Sequence, residues 1–285
     1  MAEQPSTTDF VPKQAYPPNA DLYEEIVGDS TSNIARGFMK LIPPISSGSV
    51  IHDNGCGGGQ VIHVIMEQNP PRDIVFEATD IDATQLQHCR EAAAAAAGHW
   101  PVNVSEMPAE SLRFGDETFT HSFSNLLLFA TRNTGVDAAR EIYRTLKPGG
   151  TAVATWFNSI PHQEIVKEMH RDFRGAESRL PHGMPEAWYE PEFLQSTLVQ
   201  GGFTPEKLKM SVLETPLTIP DLKRWVEILW SYIGRPMEGW RVADEEGWDR
   251  VIGTLVKKME ESPFYTTTGK GGRMGLRVNV CVATK

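Results

Sequence analysis

The 285-residue sequence is poor in cysteine, in excess basic charge and in long apolar runs, and each shortage removes a class of protein. Its three cysteines, Cys56, Cys89 and Cys281, lie far apart with no CxxC spacing. An odd, dispersed set of this kind does not build a disulfide framework, and all three read as buried thiols in a reducing compartment. Lysine and arginine total 27 against 37 acids, giving a formal net charge of -10 and no general attraction for a phosphate backbone or an anionic lipid surface. Nucleic acid and membrane are therefore not expected partners. No stretch approaches the roughly 20 apolar residues of a membrane-spanning helix. The opening MAEQPSTTDFVPKQAYPP carries acids and prolines where a secretory leader would carry a basic region and an apolar run. The expectation is a soluble, cytoplasmic protein. None of the eight histidines stands in a spacing such as HExxH, so no metal is expected.

The 40% hydrophobic content is ample for a packed core. A helical pattern runs from Asp21 toward Leu41 and is closed by Pro43 and Pro44, making residues 1–45 an N-terminal arm and helix. From Val50 to about Trp156, short apolar runs alternate with helical segments (GSVIHD, GQVIHVIMEQ, IVFEATD, ATQLQHCREAAAAAA, VNVS, FTHSFSNLLLF, DAAREIYRTL, TAVATWF). That alternation predicts an α/β domain with a mostly parallel sheet covered by helices on both faces, spanning residues 46–285. Within it, IPDLKRWVEILWSYIG and DEEGWDRVIGTLVKKMEE break the strand rhythm and read as a helical cap insertion at about 216–262. Four of the seven tryptophans, Trp225, Trp230, Trp240 and Trp248, fall there. Such spacing suits packing or an aromatic cover over a ligand cleft.

The run HDNGCGGGQVIHVI places glycines at 55, 57, 58 and 59 between an apolar strand and an apolar helix. Glycine admits positive φ and lets a ligand approach the backbone, and the free amides of a helix start attract an anion. A dinucleotide GxGxxG fails, because Gln60 and Ile62 stand where the third glycine would fall from either start. A phosphate-binding P-loop fails for want of a lysine after the glycines. Asp53, two residues before Gly55, would repel a pyrophosphate. What remains is a ligand with a cationic group near Asp53 and one modest anion near the helix start.

These residues resemble the DxGxGxG signature of class I S-adenosylmethionine-dependent methyltransferases, carried here by Asp53, Gly55, Gly57 and Gly59. FEATDID ends the next strand with Asp80 where the family's ribose-binding carboxylate falls, and a carboxylate can accept from both ribose hydroxyls. AESLRFGDETF (Ala109–Phe119) and EIYRTLKPGG (Glu141–Gly150) resemble further family segments, the first in a form closer to the fungal secondary-metabolite branch. The resemblance covers Val50 to about Trp156 and implies a Rossmann-like fold with a mostly parallel seven-stranded sheet and S-adenosylmethionine as cofactor. It implies that Asp53, Asn54, Gly55 and Gly57 hold the methionine moiety, Asp80 the ribose, and Ile81 and Ala109 the adenine. Asn125 would lie close to the methyl donor. Pro108 stands where the family usually has an acid, leaving backbone contacts at Ala109 for the adenine.

Methyl transfer from a sulfonium needs mainly in-line positioning, so a base is optional and no catalytic residue is assigned. His162, past the fifth strand, and His182, in the loop before Trp188, are the candidates for one. His63 and His121 read as packing. The acidic balance, and SNLL (124–127) in place of an aromatic-ended proline motif, disfavour a flipped base as substrate. The expected substrate is an apolar small molecule, methylated at O, N or S and belonging to fungal secondary metabolism, with Trp156, Asn158, Trp188 and Trp225 as lining candidates. A homodimer stays open. So do a methyltransferase-like regulatory subunit and a cofactor-retaining cyclase on the same fold.

Overall fold

The structure is a computed structural model and describes residues 10–95, 100–180 and 185–285. In chain order, α1 (Ala20–Val27) and α2 (Ser30–Phe38) precede β1 (Val50–Asn54), α3 (Gln60–Glu67), β2 (Val75–Asp80), α4 (Ala83–Ala95), β3 (Val102–Glu106) and β4 (Phe119–Ser124). Then come α5 (Val136–Thr145), β5 (Leu146–Ser159), α6 (Pro161–Arg174), α7 (Pro191–Gln200) and β6 (Leu208–Ile219). The chain ends with α8 (Leu222–Ile233), α9 (Val242–Glu246), α10 (Trp248–Glu260), β7 (Tyr265–Thr268) and β8 (Gly271–Thr284). Contacts group the described residues into two units, one of residues 10–28, 160–180 and 216–276, the other of 29–95, 100–159, 185–215 and 277–285.

The larger unit carries the α/β architecture that the alternation predicts. Strands follow one another in the order β3-β2-β1-β4-β5-β8-β6, while β7 pairs with the first residues of β8 within the smaller unit. β1 pairs in parallel with β2 on one side and β4 on the other, β2 with β3 and β4 with β5, while β8 runs antiparallel to β5. The chain moves outward from β1 in one direction through β2 and β3, and then in the other through β4 and β5. The carboxyl end of β1 is therefore the switch point where ligands bind in open parallel sheets. Ile51, Phe76, Ala78, Phe123 and Val153 are buried and join Val61, Ile65 and Ile34 from the covering helices in one core. Burial of this order, about 1.5–3 kcal/mol per large apolar side chain, outweighs any local preference of single residues.

The family-like segment at 109–119 is a scaffold feature here. Arg144, on α5, donates to the carbonyls of Leu112 and Phe114 and to Asp116, and Glu141 accepts from the Leu112 amide. One arginine thus ties the whole loop to α5, which holds it against the parallel sheet.

The smaller unit packs α6, α8 and α10 around Trp225, Trp230, Trp248, Val166 and Leu255. Asp221 caps α8 by accepting from the Arg224 amide, and Asn19 caps α1 by accepting from Leu22. Within 216–262 the described elements are the end of β6, then α8, α9 and α10. Among the described residues no helix is long and apolar enough to cross a membrane.

The structure departs from the sequence reading at three places. The helix expected from Asp21 toward Leu41 is broken at Gly28, whose φ of 48° no helix tolerates, so residues 10–45 divide between the two units. β7 was not expected. His63 lies on the exposed side of α3, over half exposed and 3.4 Å from Glu67, because Val61, Ile62, Val64 and Ile65 already fill the buried face. His121 is partly buried, with Nδ1 2.9 Å from Thr120 Oγ1 and its ring stacked on Phe123, and burial lowers its pKa. All three cysteines are buried and unbridged.

Candidate functional site

The loop after β1 takes its shape from three glycines. Gly55, Gly57 and Gly59 have φ of 69°, 50° and 87°, the left-handed region, whereas Gly58 does not. These are the three glycines of the DxGxGxG spacing. The amides of Gly55 and Cys56 both donate to the carbonyl of Thr79, at 2.8 and 2.9 Å, so the loop is stitched to the end of β2. Gly59 then caps α3, and a Cβ there would press on Cys89 Sγ at 3.0 Å.

Two carboxylates flank this loop. Asp53 is buried on β1, and neither of its oxygens closes a well-formed hydrogen bond. Burial raises its pKa to about 7, with the Ile62 amide opposing and the negative charge of Asp80 adding to the rise. Asp80 closes β2: its Oδ2 accepts from the Gly57 amide at 2.9 Å, and its Oδ1 from Ile81 and Asp82 at 2.7 and 3.0 Å. A carboxylate oxygen can accept twice, so Oδ2 retains capacity for a ligand hydroxyl. Ile81 next to it is 69% exposed, an apolar side chain with no packing of its own to explain its place. Ala109 is buried, and Met107 donates to the Asp80 carbonyl, so the chain past β3 lies beside the same end of β2.

S-adenosylmethionine fits these residues. The unpaired buried carboxylate of Asp53 and the charge of Asp80 favour a ligand carrying cationic groups, and the left-handed glycines leave the backbone open to close approach. A pyrophosphate would meet two acids at the same loop. When bound, this group supplies an electrophilic methyl for direct displacement. The chain's own part is to seat it and to exclude water.

The remaining candidates are placed differently. Asn54 is wholly buried, its Oδ1 3.4 Å from Thr79 Oγ1, and its Nδ2 is unpartnered. Asn125 lies one residue beyond β4 with both side-chain atoms used inside the protein: Nδ2 donates to the Thr31 carbonyl at 3.0 Å, and Oδ1 accepts from Thr155 at 2.9 Å. Trp156 is fully buried, ringed by Phe129, Trp188 and Phe193, and its Nε1 has no partner. Trp188 is half-buried and stacks on Phe193. Asn158 donates to Asn279 and Tyr189. Trp225 belongs to the core of the smaller unit, where its Nε1 donates to the Ile26 carbonyl. For Trp225 and Asn158 the packing and hydrogen bonds are those of structural residues, a departure from the lining role expected of them. His162 opens α6 in the same unit, edge-on to Trp225, with Nδ1 unpartnered and a pKa lowered by burial to about 4. His182 lies outside the described residues. Thr155, which the sequence did not single out, joins Asn125 to the loop after β4. A buried threonine in a strand looks like any other strand former, so no sequence signal marked it.

Among the described residues no cluster of histidine, cysteine or acids is arranged to hold a metal ion. Residues 51–150 match the profile of a family described as a methyltransferase domain. The curated tRNA (carboxymethyluridine(34)-5-O)-methyltransferase ALKBH8 of Macaca fascicularis is 28% identical over 187 residues, covering 63% of this chain. The chain spans only about a quarter (25%) of that relative's length. Among solved structures, the YcgJ protein of Bacillus subtilis shares the fold with a TM-score of 0.55 at 16% identity, covering 88% of this chain and 98% of its own. An S-adenosylmethionine-dependent methyltransferase of Archaeoglobus fulgidus does so with a TM-score of 0.52 at 16% identity, covering 93% and 99%. Residues 51–150, which hold the β1 strand, the glycine loop and both carboxylates, are thus similar to a methyltransferase domain.

Proposed function

We propose that the chain transfers the methyl group of S-adenosylmethionine to an oxygen, nitrogen or sulfur atom of an apolar small molecule, of the kind made in fungal secondary metabolism. The observation that carries this reading is the aromatic group on β5 and its neighbours. Phe129, Trp188 and Phe193 are only half-buried, and the enclosed Trp156 holds an indole N–H with no partner. Apolar walls with one placed donor are the usual make-up of a small-molecule site. Asp53, Asn54, Gly55, Gly57, Asp80, Ile81 and Ala109 seat the cofactor in this reading. Asn125 supports the neighbouring loop.

His162 contributes little as a base at neutral pH, since a group titrating near pH 4 has weak affinity for the acceptor's proton. The sulfonium is already a good leaving group, so orientation supplies most of the acceleration.

The tRNA substrate named for the curated relative is the one specific observation for a second reading, in which this chain also modifies RNA. Its net charge of -10 weighs against that. Incubation with methyl-labelled S-adenosylmethionine, in one arm with apolar aromatic alcohols and amines and in another with unmodified tRNA, separates the two. Label in the small molecules is the expected result. Label in tRNA alone overturns the proposal, and a rearranged product without consumption of donor would assign the chain to cyclisation.

A further inference from the structure

We propose that Thr155 is a positioning residue for the cofactor seat, its hydroxyl holding the loop after β4 so that Leu127 stands against Gly55. Thr155 is fully buried on β5, and its Oγ1 does two things at once. It accepts from the Leu126 amide at 2.8 Å and donates to Asn125 Oδ1 at 2.9 Å. Asn125 in turn donates to the Thr31 carbonyl on α2 at 3.0 Å. Between these anchors Leu126 has a φ of 58°, a left-handed conformation that branched L-residues avoid. The strain persists because the residues on either side are held.

The consequence falls on the next residue. Leu127 leads into a short 3-10 turn, Leu128–Ala130, and its side chain occupies the space where a Cβ on Gly55 would stand. The first glycine of the signature is therefore required by Leu127 as well as by its own φ of 69°. The space over Gly57 differs: a Cβ there would meet only the ends of the Gln60 and Gln85 side chains, at 3.4 and 3.5 Å. Leu127 is thus a fixed wall at one end of the glycine loop, while the other end is bordered by movable amides. A wall placed by a strained loop is only as well placed as the hydroxyl that holds the loop. Without Thr155, Leu126 relaxes toward ordinary backbone angles and Leu127 leaves Gly55.

The inference rests on the reading that this loop seats S-adenosylmethionine, and the test separates the two. S-adenosylhomocysteine is titrated calorimetrically into the full chain and into the variants Thr155→Val and Thr155→Ser, with ligand-free melting followed in parallel. Valine keeps the shape but leaves the Leu126 amide and Asn125 Oδ1 unpaired, so affinity should fall at least about tenfold while serine restores it. Leu127→Ala should weaken binding in the wild-type background and have little further effect beside Thr155→Val, a coupling that a purely structural threonine would not show. Unchanged affinity in Thr155→Val, or a Leu127→Ala effect identical in both backgrounds, overturns the proposal. Should the valine variant not fold, unchanged affinity in Leu127→Ala alone overturns it. Failure of the wild-type chain to bind would overturn the cofactor seat itself.

Discussion

Arg174 donates from Nε to Oδ1 of Asp244 at 2.6 Å, with the two side chains 4% and 2% exposed. The same guanidinium donates to the Gly234 carbonyl and to His170 Nδ1, and it lies over the faces of Trp230 and Trp240. His170 is held as one tautomer, since its Nε2 faces the Ser178 carbonyl and must carry the proton. Taking both charges out of water is costly, so the pair is weak evidence of net stabilisation, but breaking it strands a cation. Asp244→Ala should cost about 3–5 kcal/mol in urea unfolding. Replacing both partners by apolar residues should cost less than the single change, and a larger loss in the double variant would refute this account.

Acid should destabilise the protein before neutral pH is far behind. His162 titrates near 4 in the folded chain, below its ordinary 6.5, because burial penalises the charged ring. His52 is lowered to about 3 by burial, and His170 is lowered chiefly by the same cause. Between the two values the unfolded chain binds the proton that the folded chain refuses. Stability from each is therefore whole above about pH 6.5 and is lost as pH falls toward the folded value. Asp53 works the other way: its folded value of about 7 lies above 3.8, so its contribution is present below pH 3.8 and lost as pH rises to 7. For His162 the difference corresponds to about 3 kcal/mol. His162→Phe, which keeps a ring beside Trp225, should flatten the unfolding profile between pH 4 and 6.5. An unchanged slope would show that His162 is hydrated in solution.

The glycine loop after β1 was the most legible part of the sequence, and the reason is steric. Three left-handed backbone angles at alternate positions demand glycine at 55, 57 and 59, so local geometry left its mark in residue type. Asp80 was legible only beside Asp53 and the glycines, since a strand-end aspartate alone serves equally well to accept from the amides of the next turn, as it does here from Ile81 and Asp82. The tryptophans were not legible. An indole in a core and one lining a cleft are written alike, and only the packing of Trp225 against His162 and Ile26 distinguishes them. Gly28 went unread because a glycine inside a helical pattern is often tolerated, and here it breaks the helix. β7 was too short for a period-two pattern to stand out.

Donor binding should depend on pH through Asp53. A cationic ligand favours the ionised carboxylate, which burial disfavours, so binding at pH 6 should release more protons than at pH 8. Calorimetry in two buffers of different ionisation enthalpy measures that release. Asp53→Asn should abolish the difference. If the variant still releases protons to the same extent, another group is coupled to the donor.

Asp80→Ala should weaken donor binding by roughly 1–3 kcal/mol, the scale of a lost charged hydrogen-bond partner. It also frees the Gly57 amide, which Asp80 accepts in the folded loop. Asp80→Asn separates these roles, since an amide oxygen can still accept from Gly57 while the charge is gone. Calorimetric affinity equal to wild type in the alanine variant would remove Asp80 from the site.

The smaller unit is drawn from residues 10–28, 160–180 and 216–276, stretches separated by long passages of the other unit. Its tryptophan core therefore closes only through contacts between residues far apart along the chain. During synthesis Tyr16 must wait for Ser231, and Asn19 for Tyr232, before their hydrogen bonds can form. Non-local assembly of this sort slows folding and leaves sticky surface uncovered on the ribosome. Refolding from urea should accordingly show the tryptophan fluorescence of this unit recovering late, after the sheet has regained its far-ultraviolet signal.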